Sequence, residues 1–319
     1  MMAAPMGGMG APHRPVLLRQ TIELLDASHG GLFVDGTLGL GGHSEAILES
    51  SDDTRVLGID RDPAALQLAV SRLAHFGSRF RGIHADFREI KRVVDEAGEH
   101  EVHGVLVDLG VSSLQFDSQE RGFSFQHDAP LDMRMDATGS EETASELLAR
   151  LPQEEIATIL FEFGEERRSR RIAKWIVENR ERGEPIETTR QLAELVARAI
   201  GRRRTDKTHP ATRTFQAIRI AVNHELEGLD EFVETAVDLL QPGGRFVSIS
   251  FHSLEDRIMK RTLRRLSGYC ECSPRAPVCS CGARRVVEIL TRRPILPDDY
   301  EIVENPRSRS AKLRACRKV

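Results

Sequence analysis

Two hydrophobic rhythms alternate along the chain. Nearly continuous apolar runs at 32–35, 55–60 and 104–108 end in Asp35, Asp60 and Asp108, with a weaker run over 80–86 between the second and third. Between them the spacing becomes helical. Leu66, Ala69, Val70 and Leu73 stand at i, i+3, i+4 and i+7 behind Asp62-Pro63, which supplies an N-cap and a first-turn proline. A second amphipathic stretch covers 87–97. Strands that are apolar on both faces and alternate with helices predict a parallel sheet covered on both sides.

The rhythm breaks after Asp108. No periodic segment stands between 117 and 138, and the stretch from there to 204 reads helical. Thr188 and Gln191 fit a capping box, after which Leu192, Leu195, Val196 and Ala199 share a face. A polar tract, GRRRTDK at 201–207, precedes another helix that begins near Thr212, with Phe215, Ile218, Val222 and Leu226 on one side. The α/β alternation then returns with a helix over 229–240, a QPGG turn at 241–244, a strand over 245–250 and strand candidates at 285–290 and 312–317. The expected organisation is a flexible tail at 1–12, an α/β core made of 13–116 and 213–319, and an inserted, mainly helical unit at 117–212.

With 40% hydrophobic and 29% charged residues, the 319-residue chain is neither fibrous nor disordered. No run approaches the ~18–20 apolar residues of a membrane span, so no membrane partner is expected. The first twelve residues lack the charged-then-apolar order of a secretion signal. Five cysteines, four of them between 270 and 281, do not make a disulfide scaffold, which fits a reducing cytoplasm. The net charge of -4 is unevenly spread: 257–319 holds 16 Lys/Arg against 6 Asp/Glu. That asymmetry points either to a polyanionic partner at the basic end or to arginines paired locally.

Ligands of open parallel sheets sit beyond the carboxyl ends of the strands. There this chain carries Asp35 with a glycine-rich turn, Asp60, Asp86-Phe87 and Asp108. Each alone is an ordinary turn glycine or capping carboxylate; together, on successive strand ends, they point to a nucleoside cofactor. An acid after the second strand is placed to accept from ribose hydroxyls, and one near the fourth from an adenine amino group. Asp60 follows Gly41 at about the spacing of nicotinamide folds. However, Gly39-Leu40-Gly41-Gly42 lacks the G-x-G-x-x-G order that presses backbone onto a pyrophosphate. S-adenosylmethionine has no phosphate and needs no such cradle, and a terminal strand pair after Ser250 also suits a methyltransferase sheet.

The strings DGTLGLGGHS at 35–44, DRDP at 60–63, DLGVSS at 108–113, RGFSF at 121–125 and LDMRMD at 131–136 resemble the bacterial small-subunit rRNA (cytidine N4)-methyltransferase H family. So do FGEER at 163–167, HPATRTFQA at 209–217, SFHSLEDR at 250–257 and ENPRSRS at 304–310. The resemblance runs from about His13 to Arg314. It implies a Rossmann-like, S-adenosylmethionine-dependent methyltransferase core interrupted by a helical substrate domain. The implied activity is methylation of the exocyclic N4 of a cytidine in 16S rRNA near the decoding centre, in the small ribosomal subunit. Gly41, Gly42, His43, Asp60, Phe87, Asp108 and Gln115 match the family's S-adenosylmethionine contacts.

A cytidine amine is a poor nucleophile because its lone pair is delocalised into the ring. Acceptors on its N–H bonds favour rotation toward sp3 character, and in-line placement against the sulfonium methyl supplies much of the acceleration. Methylation at carbon 5 would need a nucleophilic cysteine, usually in a Pro-Cys pair, and the chain has no such pair. DNA amino-methyltransferases carry Asp/Asn-Pro-Pro-Tyr where this chain reads DLGVSS, so their amine-facing residues do not transfer. Ser112, Ser113, Asp132, His252 and Asp256 are the candidates instead. Phe123 and Phe125 suit either base stacking or core packing. Arg167, Arg202, Arg203, Arg204, Arg213, Arg257, Arg307 and Arg309 are candidate phosphate contacts or plain surface charges. The two C-x-C pairs, Cys270 with Cys272 and Cys279 with Cys281, suit a structural zinc or a reduced loop. Two rival functions stay open at this point: a DNA amino-methyltransferase, and an RNA-binding assembly factor without turnover.

Overall fold

The computed structural model describes residues 15–118, 120–201, 209–270, 272–273, 278, 280 and 283–319. Its strands are β1 (Gly31–Asp35), β2 (Thr54–Asp60), β3 (Phe80–His84), β4 (Val102–Asp108), β5 (Leu240–Ser250), β6 (Val287–Ile289) and β7 (Lys312–Lys318). They form one sheet in the order β3-β2-β1-β4-β5-β7-β6. β1 to β5 run parallel, while β7 is antiparallel to both of its neighbours. The chain winds outward from β1 through β2 to β3, then returns to place β4 on the other side of β1. A crevice opens at such a reversal, beyond the carboxyl ends of the strands.

Alternate residues of each strand serve opposite faces, as the pleat requires. Leu32 and Val34 of β1 join Val105, Val107 and Phe246 beneath Ile90, Val93, Phe232 and Leu263 of the helices Ile90–Glu96, Leu229–Leu239 and Ser253–Leu266. Phe33 joins Val56, Leu106 and Val247 on the other face, under the helices Leu18–Leu25, Gly42–Glu49 and Pro63–Leu73. The helix Pro63–Leu73 starts as its sequence suggests, with Asp62 accepting the Ala64 N–H at 3.0 Å.

A third core lies off the sheet. It gathers Phe123, Leu131, Met133 and Met135 with the helices Ala144–Arg150, Gln153–Glu162, Ser169–Glu181 and Thr189–Ile200. The helix Thr212–Asn223 belongs with them: Phe215, Ala217, Ile218 and Val222 are buried in this helical core. The sequence pattern groups that helix with the α/β core, because an amphipathic stripe announces burial without naming the partner. Phe123 is also core, and Phe125 packs on His209 and Phe215 at ring distances of 4.7 and 4.9 Å. The expected QPGG turn is absorbed into β5, where the pairing with β4 shifts register between Val102 and Gly104.

Much of the C-terminal basic charge is paired locally. Arg314 meets Asp256 at 2.7 Å, Arg317 meets Glu288 at 2.6 Å, and Arg284 meets Asp238 at 3.2 Å. No helix among the described residues is long and apolar enough to cross a membrane.

Candidate active site

β1 ends in Asp35, and the chain turns tightly into the helix Gly42–Glu49. Asp35 is 1% exposed and accepts from Ser44 Oγ at 2.7 Å and from the Thr37 N–H at 3.2 Å. Burial outweighs these donors and, with the neighbouring charge of Asp60, pushes the Asp35 pKa up to about 6. Gly39 and Gly41 adopt φ of 53° and 79°, a region open to glycine, and the turn aims the Gly39 N–H at Asp60 Oδ2, 2.6 Å away. Asp60 Oδ1 accepts the Asp62 N–H at 2.8 Å. Burial raises the Asp60 pKa too, against those two backbone donors.

Asp108, at the end of β4, is the third carboxylate. Burial, then the charges of Asp35 and Glu255, push its pKa well above the usual range. Its Oδ1 is buried without a hydrogen-bond partner, and its Oδ2 lies 3.7 Å from His43 Nδ1. The other ring nitrogen of His43, Nε2, donates to the Val16 carbonyl at 3.0 Å.

One cleft collects most of the residues expected from the sequence. Gly42, His43, Asp60, Phe87, Asp108, Ser112 and Gln115 line it. Gly41 stands behind it instead, where a Cβ would lie 3.0 Å from Leu73 Cδ1. Gln115 reaches the wall as a bridge. Its amide donates to Asp62 Oδ2 at 2.9 Å, its Oε1 accepts the Ser112 N–H at 3.0 Å, and Ser112 Oγ caps the Gln115 N–H at 3.2 Å.

Three of the amine-facing candidates do not line the cleft: Asp132, Asp256 and His252. Asp132 is clasped by Arg134 through both oxygens at 2.8 Å, which outweighs its partial burial and lowers its pKa. Asp256 is held by Arg314 at 2.7 Å and lies 3.8 Å from Lys312. Each carboxylate is committed to its cation, and neither lines the cleft. The side chain of Ser113, together with Arg202, Arg203, Arg204, Cys279 and Cys281, lies outside the described residues. Arg213 donates to the Glu165 carbonyl at 3.2 Å and Arg257 pairs with the Glu165 carboxylate at 3.2 Å, whereas Arg307 lines the cleft.

The cleft also contains groups that the sequence pattern does not single out. Phe251, Glu225 and Glu255 line it beyond the ends of β4 and β5. Glu225 is clamped by Arg219 through two bonds of 2.8 Å. Glu255 Oε2 accepts the N–H groups of Phe251 at 2.8 Å and His252 at 3.2 Å, and His252 Nδ1 accepts the Glu255 N–H at 3.4 Å. The pair thus caps the helix Ser253–Leu266 reciprocally. Burial alone would raise the Glu255 pKa, but His252, Arg219 and the Phe251 N–H override it and hold the carboxyl below its ordinary value. The sequence signal is faint, since histidine is an unusual N-cap and Glu225 comes from a distant helix end.

Ligand atoms of Glu225, His252 and Glu255 lie within 4.8 Å of one another, a spacing a metal ion would accept. The hydrogen bonding argues otherwise. A backbone N–H aimed at His252 Nδ1 places the ring proton on Nε2, the nitrogen a metal would need bare. The Arg219 guanidinium already supplies the countercharge.

Taken together, the cleft is lined by the acids Asp60, Asp108, Glu225 and Glu255, by Gly36, Gly39 and Gly42, and by Pro15, Val16, Asn305 and Arg307. Buried carboxylates with raised pKa values favour a ligand that brings positive charge and hydrogen-bond donors.

Known proteins with similar sequences place this site in context. Ribosomal RNA small subunit methyltransferase H of Geobacter sulfurreducens is 52% identical over 309 residues, covering 96% of this chain and 99% of that protein. The protein of the same name from Carboxydothermus hydrogenoformans is 48% identical over 307 residues, covering 96% of this chain and 98% of its own. A solved rRNA methylase from Streptococcus thermophilus covers 95% of this chain and 93% of its own at a TM-score of 0.39 and 12% identity, too distant to bear on the site. Residues 10–319 match the MraW methylase family, and with relatives this similar over nearly its whole length the chain belongs to that family.

Proposed function

We propose that the protein transfers the methyl group of S-adenosylmethionine to the exocyclic N4 of a cytidine in 16S rRNA near the decoding centre, acting on the small ribosomal subunit. The observation that carries the cofactor assignment is the pair of strand-end carboxylates facing one glycine-walled cleft. Asp60 is held open by two backbone donors, and Asp108 has an unpartnered buried Oδ1. The donor set fits the group. Asp60 would accept from the ribose, the Asp108 oxygen would accept from a donor of the ligand, and the acidic lining would complement its cationic sulfonium and ammonium groups. When bound there, S-adenosylmethionine supplies an electrophilic methyl group.

The chain's own residues do the rest. The loop after β4 and the end of β5 flank the place a base must enter, with Phe251 as an apolar wall and Ser112 at the opposite lip. Ser112 is spent on capping the helix Ser113–Asp117, so its role is to hold the lip. A target base must leave its stack to reach such a cleft. The helical unit over 117–212, together with the helix Thr212–Asn223, is the substrate-recognition part in this proposal. It is tied to the cleft mouth by Arg61, which donates to the Asn223 carbonyl at 3.1 Å and pairs with Glu141 at 3.2 Å.

The cysteines are proposed as a structural zinc site remote from the chemistry. Supporting this, Ser280 donates its N–H to Cys272 Sγ at 3.3 Å. Elemental analysis of protein purified without chelators should give about one zinc per chain; zinc-free protein with titratable thiols would end that assignment.

The function is tested by incubating the purified enzyme and labelled S-adenosylmethionine with small subunits, free 16S rRNA and DNA, followed by nucleoside mass analysis. N4-methylcytidine in rRNA is expected. Label in DNA, at another atom, or nowhere would reject the reading.

A further inference from the structure

Glu255 and His252 do more than cap a helix. Glu255 spends Oε2 on two backbone donors, while Oε1 lies 3.1 Å from His252 Nε2, off the line of a hydrogen bond. His252 is 8% exposed, its Nδ1 is occupied by the Glu255 N–H, and its Nε2 proton is buried without an acceptor. Side by side thus stand an ionised acceptor at the cleft wall and, 3.1 Å from it, a buried imidazole N–H whose alignment falls short of a hydrogen bond. A buried donor left unsatisfied is costly, and its persistence points to a ligand that satisfies it. The nearby Glu225 does not compete, since Arg219 holds both of its oxygens.

We infer that this pair reads the Watson–Crick edge of the target base, with Glu255 Oε1 accepting from the N4 amino group of cytosine and His252 Nε2–H donating to N3. The inference rests on the cytidine reading above and specifies it. Cytosine presents a donor at position 4 beside an acceptor at position 3. Uracil presents the reverse, so its O4 would face a carboxylate and its N3–H would face another N–H. The site therefore selects cytidine by repulsion of uridine as well as by attraction. Glu255 and Phe251 line the cleft alongside Asp108 and Gly110, while His252, next to Phe251 in sequence, is buried and does not itself line it.

The test uses small subunits reconstituted with 16S rRNA that carries cytidine, uridine or pyrimidin-2-one riboside at the target position, as competitors of methyl transfer by the full-length enzyme. Pyrimidin-2-one keeps the N3 acceptor and lacks the position 4 group. Binding should fall in the order cytidine, pyrimidin-2-one, uridine, with uridine about tenfold or more below cytidine, within the range for a bidentate base contact. In Glu255→Gln the cytidine-to-uridine ratio should collapse toward one, because an amide offers either an acceptor or a donor. Glutamine at this position is compatible with the cap: Gln115 and Gln191 serve the same role in the boxes begun by Ser112 and Thr188. S-adenosylhomocysteine binding reports that the variant is folded. Uridine binding as well as pyrimidin-2-one, or a folded Glu255→Gln that keeps the parental ratio, overturns the inference. If the variant fails to fold, the ladder on the parent enzyme decides alone. N4-methylcytidine formed by an enzyme with a flat ladder leaves the functional reading standing and removes only this recognition; methyl placed elsewhere removes both.

Discussion

The Gln115 side-chain amide donates to Asp62 Oδ2 across 2.9 Å, locking the segment after β4 to the turn after β2. Asp62 is 1% exposed, caps the helix Pro63–Leu73 and also takes Arg121 at 3.2 Å. Arg121 in turn donates to the carbonyls of Arg134 and Met135. One carboxylate therefore joins the cleft wall to the loop that begins the helical unit.

Removing that carboxylate should be felt globally. Asp62→Ala loses the cap and strands the Arg121 guanidinium, an expected cost of about 3 kcal/mol or more. Asp62→Asn keeps the cap and should lose less. Chemical denaturation measures both, and an unshifted midpoint in the alanine variant would show that the bridge carries no stability.

Asp60→Ala should weaken S-adenosylmethionine binding by about 1.5–3 kcal/mol, the scale of hydrogen bonds to a charged group. Thermal unfolding of the ligand-free variant should stay near that of the parent. Calorimetry on the folded variant showing parental affinity would remove Asp60 from the ribose.

Asp35 gives a pH signature. Its folded pKa is raised to about 6 from 3.8, so the folded state holds the proton more tightly than the unfolded chain. Its contribution to stability is complete below the unfolded value and is lost as pH rises through about 6. A cationic ligand favours the ionised form, so S-adenosylmethionine should bind more tightly as pH rises through that range and release protons on binding near pH 6. Calorimetry in buffers of different ionisation enthalpy reads the proton count. No proton release, together with flat affinity, would exclude the coupling.

Gly110 follows β4 with φ of 103°, and a Cβ there would sit 3.4 Å from the Phe251 ring. Gly110→Ala forces a conformation costing about 1–3 kcal/mol for other residues and moves the lip where the base enters. Single-turnover methyl transfer should slow by more than about tenfold on that scale, while S-adenosylmethionine affinity changes little. Parental rates would mean the loop tolerates the shift.

The legible parts of this molecule were the local ones. Asp35, Asp60 and Asp108 stand where apolar runs stop, and a parallel sheet gathers such ends at one edge; Asp60 and Asp108 line one cleft there, while Asp35 is buried at the same edge. The Asp62-Pro63 start and the Thr188–Gln191 box are read within four residues, and both are present. Contacts made at a distance were not legible. The stripe on Thr212–Asn223 shows that the helix is buried but not that it joins the helical core beside Gln153–Glu162. Asp256 lies in a conspicuous string, yet Arg314, 58 residues away on β7, claims it, and no spacing rule announces such a pair; Asp132 is claimed by Arg134 from within its own string. The helix Leu18–Leu25 begins at a left-handed Leu17 with no side-chain cap, so it has no sequence start signal.

The pairing of β4 with β5 has a consequence for how the chain acquires its fold. Its register matches Val102 with Leu240 and Asp108 with Ile249, so the whole helical unit is looped out between two adjacent strands. Closing so long a loop precedes any reward from the contacts it makes, and such non-local pairings form slowly. The helical core is built from neighbours in sequence and should set first, with the sheet zipping afterwards. Pulse-labelled hydrogen exchange should show amides of Ser169–Glu181 and Thr189–Ile200 protected before those of β5. The base-entry side of the cleft, lying between β4 and β5, would then be among the last parts of the molecule to become native, and a kinetically trapped chain would be recognisable as a helical body attached to an open-edged half sheet.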